Sequence, residues 1–318
     1  MASASRLSAA LLEELRLQIA DNRAEAEAAA AAGSSESFVV PARVPPELAG
    51  LIGRALPAPP LAIAVDVYGT LLASVAGEIG LGDPWNEDGM EESDASGGFS
   101  MAFPGDMASR LRGIVEADHA EARGEGVPWP EVDSPSVFAR ALGLDYDNGA
   151  RACVAWECAA NACTAMPGAL DFLSCCRKGG LPLGIVSNAQ FYTPLFIEDA
   201  FGKRLFGGSG TPSEESLGFD PELALWSFET GRAKPDRWMF DELARRLSRR
   251  GVPADRILFI GNDALNDCAA AGEAGLRTAL FCGDARSFKP RLGDARVVAK
   301  PPDTLAASWE DLRRLVCT

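Results

Sequence analysis

The sequence predicts an α/β protein: a parallel sheet covered on both faces by helices, with a helical unit inserted after the first strand. Two observations carry the class. Apolar runs of strand length alternate with amphipathic stretches from residue 61 onward. The first two runs stand more than a hundred residues apart, too far for a simple crossover, so an extra unit sits between them. A third observation concerns chemistry. Polar residues directly follow the runs, and in an open parallel sheet ligands bind beyond the carboxyl ends of the strands.

Leu7, Leu11, Leu15 and Ile19 fall at i+4 steps, so residues 5–32 read as an amphipathic, Ala-rich helix that stops at Gly33. Its apolar stripe is expected to dock on the main body, and it also offers a contact for a homodimer. Residues 33–60 contain Pro41, Pro45, Pro46, Pro57, Pro59 and Pro60 and read as a connector with one short helix around 46–55. Strands are expected at 61–66, 181–187, 257–261 and 277–282, with a weaker one at 223–228. Between them, "MPGALDFLSCCRKGG" is a helix opened by Pro167 and closed by Gly179. In "DRWMFDELARRL", Phe240, Leu243, Ala244 and Leu247 form a single apolar stripe. The insert opens with an acidic, Gly/Ser-rich loop at 82–106 and continues with helical patterns at 107–124, 134–142 and 150–164. The expected organisation is therefore an N-terminal helix and connector (1–60), a core (61–72 and 165–318) and an inserted unit (73–164).

The net charge is −15, from 30 Lys plus Arg against 45 Asp plus Glu. Such a balance repels phosphate backbones and anionic lipid, so neither nucleic acid nor a membrane surface is an expected partner. The basic "RRLSRR" at 245–250 suits a helix end. Eight cysteines occur without any C-x-x-C pair and with one histidine, His119, so reduced and mostly buried thiols are expected. The start "MASASRLSAALLEEL" has the flavour of a transit peptide, but Glu13, Glu14, Asp21, Glu25 and Glu27 follow at once. A cytoplasmic location is expected, with an organelle as the alternative.

At the strand ends the chain places Asp66, Tyr68, Gly69 and Thr70 in "AVDVYGTLL", then Ser187 and Asn188 in "GIVSNAQ". Lys234 follows in "GRAKPDRW", and Asn262, Asp263, Asn266 and Asp267 in "GNDALND". A carboxylate is a competent covalent nucleophile when its target is held in line, which suits Asp66. Gly69 and Thr70 let backbone N–H groups face an anion, and the Ser187 hydroxyl can donate to a substrate oxygen. Lys234 neutralises negative charge on nucleophile and substrate. Asp263 and Asp267, four residues apart, can hold a hard cation such as Mg²⁺. Each residue alone is ordinary loop punctuation; their order and common address carry the signal.

With "DVYGTLL", "VSN", "GRAKP" and "GNDALND" in that order, the chain resembles the haloacid dehalogenase-like hydrolase superfamily over about residues 61–284. The resemblance implies a Rossmann-like parallel sheet core with a helical cap inserted after the first strand and closing over the site. It implies Asp66 as nucleophile, with Ser187 and Lys234 as orienting groups. It also implies Mg²⁺ held by Asp66, the backbone carbonyl of Tyr68, Asp263 and Asp267. Gly69, Thr70, Asn188 and Arg232 are the expected contacts to a small anionic substrate.

Tyr68 departs from the phosphatase pattern, which has a second aspartate two residues after the nucleophile. That acid protonates the leaving alcohol and later activates water, work worth roughly 10²–10⁴ in rate. A phenol of pKa about 10 is a poor base at neutral pH. The superfamily's 2-haloacid dehalogenases carry tyrosine here, and halide leaves without a proton. Against that reading, "ASVAGEIGLGDPWN" contains no arginine to bind halide and the fourth motif keeps two acids, which suit Mg²⁺. Asn262 leaves that cation site one acid thinner, and Glu78 is a candidate replacement acid.

Blander readings suit the remaining candidates. His119 is expected on a solvated helix face, Trp129 in packing, and the acids at 87–94 in a loop that lacks the ligand alternation of a calcium site, while Tyr192, like Arg232, could reach an anionic substrate. "FGGSG" at 206–210 has no strand-to-helix context and is not read as a nucleotide loop. The expected function is Mg²⁺-dependent, phosphatase-type hydrolysis of a small anionic metabolite, with dehalogenase-type hydrolysis as the alternative. A catalytically weak binding or regulatory role stands as the third reading.

Overall fold

In a computed structural model, which describes residues 7–32, 39–74, 103–207 and 214–317, every apolar run expected to be a strand is one. Glu78, the acidic run at 87–94 and most of the loop from 82 lie outside the described residues, as does part of "FGGSG".

Helix α1 (Ala9–Ala32) precedes a single 3₁₀ turn, Pro46–Leu51, and the first strand, β1 (Ala62–Val65). A short strand β2 (Leu72–Ser74) then leads to the inserted helices α2 (Met107–Gly124), α3 (Ser134–Leu142) and α4 (Tyr146–Ala160). The chain returns through β3 (Cys163–Ala165), α5 (Ala169–Lys178) and β4 (Leu183–Ser187). Next come α6 (Thr193–Phe201), β5 (Arg204–Phe206), β6 (Ser216–Phe219), β7 (Ala224–Trp226), α7 (Ser227–Thr230) and α8 (Trp238–Ser248). The last third holds β8 (Ile257–Gly261), α9 (Ala270–Glu273), β9 (Arg277–Phe281), α10 (Ala295–Ala299), β10 (Thr304–Ala306) and α11 (Trp309–Val316).

Six strands make one parallel sheet in the order β10-β9-β8-β1-β4-β7. Strands covered on both faces read as continuous apolar runs, as "AIAV" and "ILFIG" do, and every residue of both is buried. On one face α8 lays Met239, Phe240, Leu243 and Leu247 over Ala62, Ala64 and Phe259. On the other, Phe172 and Trp309 cover Ile63, Leu258, Ile260 and Phe281. The chain leaves β1 towards β4 on one side and β8 on the other, so a crevice opens at the carboxyl end of β1.

The third inserted helix corrects the sequence expectation. It spans Tyr146–Ala160 rather than 150–164, because the Asp145 carboxylate accepts the Asn148 N–H at 2.8 Å and caps the helix early. Beyond its end, Cys163–Ala165 pairs antiparallel with Leu72–Ser74, which brings the two ends of the insertion side by side. Local periodicity holds no record of that long-range pairing.

Helix α1 docks as expected, with Leu7, Leu11, Leu15 and Ile19 all buried. It bridges two elements: Arg151 of α4 donates to Glu14 at 2.7 Å, while Arg16 and Arg23 pair with Glu198 and Asp199 of α6 at 2.6 and 2.7 Å. The apolar face that offered a homodimer contact is thus used within the chain. A second correction concerns the thiols: Cys175 and Cys317 form a disulfide with Cα atoms 6.4 Å apart, while the other six cysteines are free. Packing of α11 against α5 joins residues 142 apart in sequence, a proximity that spacing cannot reveal. No helix among the described residues is long and apolar enough to cross a membrane.

Candidate active site

Asp66 follows β1 directly and is almost buried. The Ser187 hydroxyl, at the end of β4, donates to Asp66 Oδ1 at 2.8 Å, and Lys234 Nζ donates to the same oxygen at 2.7 Å. Among the described residues no hydrogen bond engages Oδ2. One carboxylate oxygen is therefore pinned and the other is presented, the geometry of an oriented nucleophile.

Lys234 Nζ also donates to Asp267 Oδ1 at 2.6 Å and lies 5.7 Å from the centre of the Phe259 ring. Burial by itself would lower the lysine pKa, but Asp267 and Asp66 outweigh it and hold the ammonium above its ordinary range. Burial most of all, with the charges of Asp66 and Asp263, raises the Asp267 carboxyl against the downward pull of Lys234. Two carboxylates thus share one ammonium. Asn188 sets the lysine in place: its Oδ1 accepts the Lys234 N–H at 2.6 Å and its Nδ2 donates to the Lys234 carbonyl at 3.1 Å.

These residues share a cleft lined by Asp66, Tyr68, Asn188, Lys234, Asn262, Asp263, Asn266, Asp267 and Lys289. Gly69 and Thr70, expected to touch substrate, brace the loop instead. The Thr70 hydroxyl donates to Asn262 Oδ1 at 3.2 Å, and its carbonyl accepts Trp309 Nε1–H at 3.1 Å. Gly69 has φ +77°, and a Cβ there would collide with Ser287 and the Asn262 amide. Gly69→Ala is accordingly expected to destabilise the fold by about 2–4 kcal/mol and to slow turnover at least tenfold. Urea denaturation checks the first; unchanged stability would show that the 284–291 segment gives way freely.

Arg232 does not reach the cleft. Its guanidinium donates to Asp236 at 2.8 Å and lies 5.8 Å from the centre of the Trp238 ring. His119 sits half-buried on α2, Trp129 is 45% exposed, and Tyr192 is buried against Glu157. The Tyr68 phenol is buried as well, paired with the Thr193 hydroxyl at 3.0 Å. Burial, with the charges of Cys163 and Glu157, drives its pKa far above that of a free phenol.

Sequence reasoning missed Lys289 and Arg291. Both lie on a segment that returns beside β8, with the Lys289 N–H donating to the Asn262 carbonyl at 3.0 Å and the Ala264 N–H to the Lys289 carbonyl at 2.9 Å. Nothing local marks "SFKPR" as part of a site.

The sheet thus holds an oriented aspartate at the end of a central strand, with a serine, a lysine and a second aspartate beside it. The sequence model of the haloacid dehalogenase-like hydrolases matches residues 60–275, and the chain belongs to that family. Among solved structures it is similar to an L-2-haloacid dehalogenase, with 23% identity and a TM-score of 0.45 over 82% of this chain and 100% of that one. It is also similar to a 2-haloacid dehalogenase from Pseudomonas syringae pv. Tomato DC3000, with 18% identity and a TM-score of 0.48 over 80% of this chain and 96% of that one. A third is the HAD-hydrolase YfnB from Bacillus subtilis bound to magnesium, with 16% identity and a TM-score of 0.43 over 82% and 100%. These likenesses concern the fold. No curated protein matches the chain.

The family's phosphatases bind Mg²⁺, but the donor set here does not fit it. Both oxygens of Asp263 face the Arg291 guanidinium, and Oδ1 also caps the π-helical turn Ala264–Ala269 through the Leu265 and Asn266 N–H groups. Asp267 uses one oxygen for Lys234 and the other for the Asp263 N–H at 2.9 Å. Asn262 Nδ2 donates to the Ser287 carbonyl at 2.6 Å, a role a carboxylate could not fill. Among the described residues, no group of three or more His, Cys, Asp or Glu side chains is placed to hold a metal ion.

Proposed function

We propose that the chain hydrolyses a carbon–halogen bond in a small 2-haloacid through Asp66, without a metal. The observation that carries this reading is the fate of Tyr68. Tyr68 holds the position, two residues after Asp66, that in the family's phosphatases carries the proton donor, and its phenol is buried against Thr193. A leaving group that departs as a stable anion does without that donor.

In the first step Asp66 Oδ2 attacks the carbon bearing the halogen; the C–O bond forms as the C–halogen bond breaks, and halide leaves with the bonding pair. An ester joins Asp66 to the substrate. Water then adds to the ester carbonyl, giving one proton to a base that passes it to the departing alkoxide oxygen; the 2-hydroxyacid leaves as the carboxylate returns, and the second proton goes to solvent. Lys234 stabilises the oxyanion of the second step.

Phosphatase-type chemistry is the second reading, favoured by the three carboxylates of Asp66, Asp263 and Asp267 in one cleft. The deciding experiment measures chloride release from 2-chloropropionate with chelator present, beside phosphate release from acetyl phosphate with Mg²⁺, each against Asp66→Asn. Chloride release that vanishes in the variant supports the proposal; phosphate release alone reverses it. Release of neither leaves the binding role. Tyr68→Phe is expected to keep turnover within about threefold while losing about 1 kcal/mol of stability with the Thr193 hydrogen bond. A hundredfold loss of turnover would instead make the phenol a participant.

A further inference from the structure

Arg291 has a φ of 45°, the one non-glycine residue with positive φ among the described residues. Residues with a Cβ rarely adopt this region, and they persist there where surrounding contacts overdetermine them. The returning segment supplies such contacts. It pairs with Asn262 and Ala264 through Lys289, accepts Asn262 Nδ2 at the Ser287 carbonyl, and closes as the Asp294 N–H donates to the Arg291 carbonyl at 3.0 Å. This backbone directs the guanidinium onto Asp263, with Nε 3.1 and 3.2 Å from its two oxygens and Nη2 2.7 Å from Oδ2.

Each acid of the cleft is thereby matched with a cation from the chain itself: Asp66 and Asp267 with Lys234, Asp263 with Arg291. A hard divalent cation needs a near-octahedral set of oxygen ligands. Here it would have to displace a forked, charge-assisted contact and lie beside a guanidinium and an ammonium. We propose that Arg291 is a resident cation at Asp263 that keeps divalent metal out of the cleft, so that removing it opens a metal site the native chain lacks. Arg291 acts through Asp263 and is a positioning residue; it also steadies the carboxylate that caps the turn carrying Asp267. The inference rests on the metal-free reading of the cleft, and Mg²⁺-dependent phosphate release by the native chain would count against it.

The test uses Mn²⁺ alone as the probe, titrated by electron paramagnetic resonance into the full chain, its Arg291→Gly variant and its Arg291→Lys variant. Glycine accepts the backbone at this position, so the first variant loses the guanidinium without strain. Lysine keeps a point charge without the fork, and its affinity is expected to fall between the other two. Arg291→Gly is expected to bind Mn²⁺ at least about tenfold more tightly than the native chain, and adding Asp263→Asn should erase that gain. Melting temperature should rise with Mn²⁺ in Arg291→Gly and not in the native chain. Equal affinity in the native chain and the variants, or no binding by any of them, overturns the proposal. Chloride release is read separately, so failure here is distinguishable from failure of the dehalogenase reading.

Discussion

Lys234→Met is expected to slow turnover by about 10²–10³-fold or more and to destabilise the fold by about 3–5 kcal/mol near neutral pH. The lysine side chain is 3% exposed, and it is the ammonium that Asp66 and Asp267 share. Methionine keeps much of the apolar stem and removes only the charge. Two buried carboxylates are then left face to face, and the loss follows from the uncompensated charge more than from missing contacts. Asp66 Oδ1 would retain only the Ser187 hydroxyl, so Asp66 loses half of its orienting set. The sign with pH is opposite to ordinary acid denaturation. In the variant the Asp267 carboxyl, no longer pulled down by the ammonium, rises further, so stability is present at low pH and lost as pH rises. Urea midpoints at about pH 5 and pH 8 check this, the gap to the native chain widening at the higher value. A gap that is the same at both would mean that Lys234 contributes by packing alone.

The second large effect lies outside the cleft. Glu157→Gln is expected to leave stability unchanged near pH 4.5 and to raise it by about 3 kcal/mol at most near pH 8. Glu157, on α4, is buried among Asn161, Tyr192 and Tyr68, and the Asn161 amide donates to it at 2.8 Å. Burial pushes its pKa from 4.5 up to about 7, against the smaller downward pull of Asn161 and Tyr192. The folded state thus holds a proton that the unfolded chain releases between those values. Stability from the neutral form is complete below 4.5 and disappears as pH rises towards 7. Glutamine keeps the acceptor for Asn161 and cannot ionise, so its stability should be flat across that window. Melting curves of the two proteins at several pH values decide the matter. Parallel pH profiles would show that Glu157 is ionised in the folded state.

Much of the core was legible in the sequence because parallel strands are buried on both faces and appear as unbroken apolar runs. "AIAV", "LGIVS" and "ILFIG" needed no partner to be recognised. The meeting of Asp66, Ser187, Lys234 and Asp267 was legible for a related reason: residues that follow parallel strands emerge at one edge. Arg232 shows where this logic stops. A cation two residues from Lys234 is close in sequence, yet Asp236 and Trp238 on the next turn hold it away from the cleft. Gly69 and Thr70 are a subtler case, since their neighbourhood was right but their work is structural.

By itself the sequence determined the fold class, the strand positions, and the aspartate and lysine that meet at the strand ends, because those follow from local burial patterns and chain order. Only the tertiary structure decided how the charges are matched. Arg291 on Asp263, the phenol of Tyr68 on Thr193, the β2–β3 pairing at the root of the insertion and the Cys175–Cys317 bridge all join segments far apart in the chain. Such contacts leave no periodic trace, since their free energy depends on the packed neighbours that bring the partners together. Asp263 reads as a metal ligand in the sequence and as the partner of an arginine in the fold.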